Sequence, residues 1–189
     1  MTHEIKWSVD RSHTTVTFEV THLMIAAVKG SFKVFDASIY TTGKDFSTAK
    51  SDFWIESASI DTGTGARDAH LKGPDFLDSG QYPQIHFISE SVTSSGVDCN
   101  HMLAGKLTIK GITKNVSLNL AFGGIQNDHQ GNQKAGFSLT GTIKRSDWGI
   151  VWNQPLDTGG LLVGDEITIS CEIVLVKADQ FAQTMIVGG

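Results

Sequence analysis

Cysteine is nearly missing from this 189-residue chain. The two that occur, Cys99 and Cys171, stand far apart with no CxxC or Cys/His spacing around them. That excludes a disulfide framework and argues against a structural zinc site. Basic residues are scarce too: 15 lysines and arginines against 20 acids leave a net charge of −5. A nucleic-acid partner requires a basic face to displace counterions, and no such surplus exists. The same shortage removes any polybasic attraction to anionic lipid. No apolar run approaches transmembrane length, which excludes stable membrane insertion through a helix. The opening "MTHEIKWSVDRSH" has no apolar stretch of the kind a signal sequence carries. The chain as it stands reads as soluble and cytoplasmic; a periplasmic or secreted chain without its leader would read the same.

Catalytic signatures are missing as well. There is no HExxH, GxSxG or Walker loop, and no GxGxxG after a strand. The seven histidines share no i,i+2 or i,i+4 spacing, so no metal site is assigned. No catalytic residue and no cofactor is assigned either, and the chain does not read as an enzyme.

What the sequence has in abundance is alternation. Val16, Phe18 and Val20 alternate with threonines and Glu19, and Val116, Leu118, Leu120 and Phe122 alternate with Ser117 and Asn119. Phe137, Leu139, Ile143 and Arg145 share one phase, and Ile167, Ile169, Cys171, Ile173 and Leu175 form a long row. This is the pattern of antiparallel strands with one apolar face. Gly111 sits between two alternating runs and predicts a hairpin of 103–110 with 115–122. In "GSFKVFDASIY" the phase slips near Val34–Phe35, predicting a bulge of the kind that bends a strand around a barrel. "GGIQNDHQGNQKAG" reads as a polar turn and "WNQPLDTGGLLVGD" as a long loop.

Two segments break the strand pattern. "HLMIAAVKG" has the look of a cover over an opening. "TGARDAHLKGPDFLDSGQYPQIHF" contains a short helix, capped by Thr64 and ended at Gly73–Pro74, within an excursion over 64–80. About eight strands with one excursion read as a closed up-and-down antiparallel barrel, a β-sandwich being the competing architecture. The chain is long enough for one such domain, expected over 1–178, with a short tail over 179–189. The inward rows offer Phe18, Phe32, Phe53, Ile55, Phe87, Leu107 and Ile109, then Leu118, Leu120, Phe137, Leu139, Ile143, Ile169 and Ile173. Composition does not separate a packed core from an apolar tunnel. Cys171 falls in the inward phase and Cys99 beside a polar turn, so Cys99 is expected to be the more accessible thiol. Trp7, Trp54, Trp148 and Trp152 are expected in rim and core packing.

Several motifs occur together and in order: Arg67, Asp68, His70 and Leu71, then Asp75-Phe76, Tyr82-Pro83 and Phe87; "LTIKG" at 107–111; and Arg145, Asp147 and Gly149. Over about Ile5 to Val176 the chain resembles the YceI family of lipocalin-like proteins. The resemblance implies an extended barrel whose lumen takes a polyisoprenoid or other long amphiphile, for binding, transport or sequestration. It also implies a possible homodimer. Trp148 departs from a family pattern that more often has Phe there, and the larger ring is expected to reshape one end of the barrel. On this resemblance Arg67 and His70 at the mouth, with Arg145, would meet a ligand's polar head. Alternatively Arg67, Asp68 and Asp147 form a salt-bridge cluster that staples the excursion to the barrel. A third class, a structural or stress-associated interaction protein, would have a filled core and no lipid.

Overall fold

The computed structural model describes residues 3–95 and 100–178. Cys99 and the expected tail 179–189 lie outside the described residues. The alternating runs become strands: β1 (Glu4–Val9), β2 (Thr15–His22), β3 (Ala26–Phe32), β4 (Phe35–Thr42), β5 (Asp45–Glu56), β6 (Ile60–Asp61), β7 (Gln84–Ser94), β8 (Asn100–Ile109), β9 (Ile112–Asn127), β10 (Gln133–Lys144) and β11 (Val163–Lys177). The excursion between β6 and β7 contains one helix, α1 (Gly65–Lys72).

Pairing is antiparallel throughout. The order β1-β4-β5-β7-β8-β9-β10-β11 closes on itself because β11 also pairs with β1. β2, β3 and β6 extend the staves begun by β1, β4 and β5: β2 pairs with β11 and β3, and β3 reaches β6. The result is a closed eight-stave barrel in which neighbours in sequence are neighbours in space, so no long edge is left unpaired.

The phase slip at Val34–Phe35 marks a change of partners. β3 runs beside β2 and β6, whereas β4 runs beside β1 and β5. At the break, Glu56 N–H donates to the Val34 carbonyl at 2.9 Å and Lys33 N–H to the Ser59 carbonyl at 3.2 Å, so the backbone groups there remain paired. The β8–β9 turn places Lys110 and Gly111 at φ 50° and 72°, as two-residue hairpin turns require.

Two expectations need correction. "HLMIAAVKG" is no separate cover: it supplies a tight turn and then β3, because Val28 pairs in register with Val20. The polar segment after Phe122 is mostly strand. A bulge lets Phe137 face Phe122 and Gly136 face Gly124, so pairing continues to Asn127 and only residues 128–132 turn.

The seam between first and last strands depends on polar groups. β11 gives Val163–Glu172 to β2 and Leu175–Lys177 to β1, leaving Val174 between two partners. The buried Thr14 hydroxyl donates to the Val174 carbonyl at 3.3 Å and accepts from its N–H at 3.0 Å, while Asp10 N–H donates to the same carbonyl at 2.8 Å. Beside this seam Lys134 reaches Asp10 at 2.8 Å and Asp128 at 3.6 Å, joining the β1–β2 turn to the β9–β10 turn. The Lys134 ammonium, helped by the Ser12 hydroxyl, holds the Asp10 carboxyl well below the usual carboxylate range.

A depressed carboxylate pKa stabilises the fold at neutral pH, and that stability is lost as pH falls below about 4 toward the folded value. Lys134→Met is therefore expected to lower stability measurably at pH 7. Thermal melts across pH should show the wild-type and variant curves converging in acid. A gap that stays constant with pH would remove the ion pair from the seam's stability.

Candidate functional site

The inward rows do not fill the barrel. Two apolar cavities of about 190 Å³ and 170 Å³ lie along the lumen and share the side chains of Val16, Ile55, Leu107 and Ile169, which form a waist between them. Each chamber is somewhat larger than an engineered apolar cavity of about 150 Å³ that stays dry and binds benzene.

All fourteen residues expected to point inward stand on these walls. Phe18, Phe32, Ile109 and Ile143 line the first chamber. Phe53, Phe87, Leu118, Leu120, Phe137, Leu139 and Ile173 line the second, and Ile55, Leu107 and Ile169 belong to both. Close packing across the wall depends on missing Cβ atoms. A Cβ on Gly30 would come within 2.3 Å of the Phe18 ring, and one on Gly141 within 2.4 Å of Leu118. The absent side chains let these two neighbours lie across the strand.

The ends of the lumen differ. Beyond the second chamber, Phe46 packs its ring centroid 5.0 Å from Trp7, 5.6 Å from Phe122 and 4.9 Å from Phe137, an aromatic plug around the fully buried Trp7. Phe46 gave no sequence signal, because it stands alone in the polar run "GKDFSTAK". At the first chamber Leu71, Phe76 and Leu77 from the excursion and Ile150 from the long loop complete the wall. These two segments meet where His70 packs edge-on against Phe76 and Trp152, with ring centroids 5.0 and 4.7 Å apart. Together they cap that end.

Arg145 anchors the cap. It is buried at the end of β10, opening a short 3-10 turn over Arg145–Trp148, and it lines the first chamber. Among the described residues no carboxylate pairs with it directly. Its Nε donates to the Gly164 carbonyl (2.8 Å), Nη1 to those of Ile150 and Trp152 (both 2.9 Å), and Nη2 to that of Val163 (3.2 Å). Four of the five guanidinium N–H groups thus tie the loop to β11, leaving one free of these contacts. Burial pulls the Arg145 pKa down, and the charge of Asp165 offsets part of that. Among the described residues lining the two chambers, Arg145 is the single charged side chain.

Arg67, Asp68, His70 and Asp147 do not line either chamber. Arg67 Nε donates to Thr62 Oγ1 at 2.8 Å, and its Nη2 to the Thr62 carbonyl (3.0 Å) and Thr64 Oγ1 (3.2 Å). Thr64 stands at the helix N-cap position but its hydroxyl takes this bond instead of capping a helix N–H. Asp68 accepts from the Thr62 hydroxyl (2.6 Å) and N–H (2.9 Å), which holds its carboxyl below the usual range. His70 pairs with Asp75 at 2.8 Å, and Asp147 is exposed on the far side of the 3-10 turn. The expected Arg67–Asp68–Asp147 ion-pair staple does not form: among the described residues no salt bridge joins them, because Thr62 satisfies both Arg67 and Asp68 locally.

Residues 7–175 match the YceI-like domain. The chain belongs to the YceI-like family. A UPF0312 protein of Staphylococcus aureus is 40% identical over 162 residues, covering 85% of this chain and 91% of that protein. The crystal structure of the Campylobacter jejuni YCEI protein is 32% identical with a TM-score of 0.73, over 90% of this chain and 97% of that one. Burkholderia cenocepacia BcnA is 26% identical with a TM-score of 0.75, over 88% and 98%. A polyisoprenoid binding domain from Saccharophagus degradans, 12% identical, shares the fold with a TM-score of 0.67 over 91% and 98%.

Within this YceI-like barrel the Trp148 ring is buried in the first chamber's wall, and its indole N–H donates to the Leu107 carbonyl at 3.1 Å, a bond that phenylalanine cannot make. Trp7, likewise buried, donates to Thr41 Oγ1 at 2.9 Å. Trp54 and Trp152 are half-buried. Cys171 stands on the wall of the second chamber, and burial pushes its thiol up to about 11.

Arg145→Met would remove the guanidinium donors of the partly buried Gly164, Ile150 and Trp152 carbonyls and is expected to cost about 3 kcal/mol. Arg67→Ala, which removes bonds at a half-exposed turn, should cost about 1 kcal/mol. Denaturant unfolding of both variants checks the order, and equal losses would contradict it. Cys171 should react with a thiol reagent in the native protein far more slowly than after unfolding, at any pH below about 9. Equal rates would place the thiol outside the lumen.

Proposed function

We propose that this YceI-like barrel binds, carries or sequesters a long-chain amphiphile, a polyisoprenoid or a fatty chain, without transforming it. The observation that carries this reading is the pair of apolar chambers joined at one waist. Chain-like guests suit two small chambers in series better than a compact guest does. By comparison with the benzene-binding cavity, each chamber takes about six to eight carbons. About ten buried carbons offer roughly 8 kcal/mol before ordering costs, enough for useful affinity from the tail alone. The polyisoprenoid binding domain that shares this fold supports the isoprenoid member of the class.

Arg145 is the head-group candidate within this reading. It is the one charged residue beside a chamber whose exposed surface is apolar, and an N–H released from the carbonyl cluster would meet an oxygen-bearing head there. Arg67, Asp68, His70 and Asp147 then serve the excursion and surface instead of the ligand. A purely structural protein with a filled core fits the two chambers poorly.

Organic extraction of the purified protein followed by mass spectrometry is expected to return a prenyl or acyl lipid near one per chain. Leu139→Trp, on the second chamber's wall, should lower retained lipid severalfold while costing under about 1 kcal/mol, since the ring enters open space. A loss of about 1–3 kcal/mol, with no lipid in either protein, would point to a filled core. Conversion of an added prenyl lipid to a new product would make the protein an enzyme.

A further inference from the structure

The β2–β3 turn is an unusual choice of residues for its shape. Leu23 and Met24 have φ values of 54° and 62°, and the turn closes with Ile25 N–H donating to the His22 carbonyl at 3.3 Å. Hairpin turns with positive φ at both central positions favour Asn-Gly, because branched or bulky side chains are strained there. Here the strained positions also expose large apolar side chains: Met24 is 64% and Ile25 87% exposed. Strain combined with apolar exposure is costly in both respects, and such features mark functional sites.

The turn does not stand alone. Leu23 N–H donates to the Leu162 carbonyl at 2.8 Å, and a Cβ on Gly160 would come within 2.6 Å of Met24 Sδ, so the long loop packs beside the tip. That loop exposes Leu161 and Val151. Residues 20–28, 148–156 and 158–164 contain no Asp, Glu, Lys or Arg, and the exposed Asp157 stands between the last two segments. Val163, paired with His22 at the base of the turn, already lines the first chamber. Val163 thus links the chamber wall to the base of the exposed tip.

We infer that this tip is a membrane-docking prong that seats the capped end of the barrel on a zwitterionic lipid bilayer. A bilayer fits better than a protein groove for two reasons. The tip exposes Met24 and Ile25 at a tight turn, and the one acid of the neighbouring loop, Asp157, is exposed and stays at headgroup level while the tip enters. The net charge of −5 gives no attraction to anionic lipid, so docking is apolar in origin and insensitive to salt. The docking goes beyond ligand binding in the lumen and is measured separately from it.

The test is co-sedimentation with phosphatidylcholine vesicles at low and high salt, using the full chain. Wild type should bind about equally at both salts. The double variant Leu23→Asn, Met24→Gly installs the favoured turn residues, so it should melt at a higher temperature while vesicle partitioning falls about tenfold or more. Ile25→Asp, which leaves the turn backbone alone, should lose binding to a similar extent at an unchanged melting temperature. Absence of wild-type binding, or undiminished binding by both variants, would overturn the inference. A wild-type dimer that Ile25→Asp converts to monomer, without vesicle binding, would assign the tip to self-association instead. Lipid retained in the lumen of the variants would leave the lumen reading intact whichever result is obtained.

Discussion

The barrel exists because one strand edge is divided between two partners. β11 is long enough to hold β2 along most of its length and β1 at its end, and that division turns a sheet into a cylinder. The gap between the two partners falls at Val174, where an orphaned backbone pair would be costly in a buried setting. The Thr14 hydroxyl accepts from the Val174 N–H and shares its carbonyl with Asp10 N–H. Closure fixes the circumference, and about eight staves give an interior that side chains can fill or that can hold one small ligand. The two chambers therefore depend on which side chains line the walls.

Hollow cores are less stable than filled ones, since wall atoms facing a void lose dispersion partners. The chain offsets this at both ends with polar order at backbone level. At the capped end Arg145 gathers four carbonyls from the loop and β11 into one cluster. At the other, Trp7 and Phe46 join three strands into an aromatic plug, with the indole N–H satisfied by Thr41. The walls are thereby held apart by closed ends and need no central packing to keep their shape.

Much of this was readable in advance because period-two alternation reports directly which side of a strand faces inward. Phe18, Leu118, Leu139 and Ile169 needed nothing more, and Val16 shares their logic. Phe46 did not announce itself, since a lone ring in a polar hairpin becomes inward only when the barrel closes over it. The contacts of Arg145 were equally silent. Carbonyl oxygens occur at every residue, so a guanidinium bound to four of them leaves no sequence pattern, whereas an expected acid partner does. Arg67 illustrates the reverse failure: its acidic neighbours are conspicuous in sequence, yet the nearby Thr62 satisfies both charges locally. The Trp148 ring was noticed as an outsize residue, but its bond to Leu107 requires the fold to bring strands forty residues apart together.

The aromatic plug has a kinetic meaning. Trp7, Phe46, Phe122 and Phe137 crowd one end, so a guest of the kind proposed would pass more readily through the other. For such a guest, residence time would then depend on how often the His70–Trp152 contact parts and the loop held by Arg145 swings aside. Two guests of very different affinity would depart at similar rates whenever that opening is the slower event.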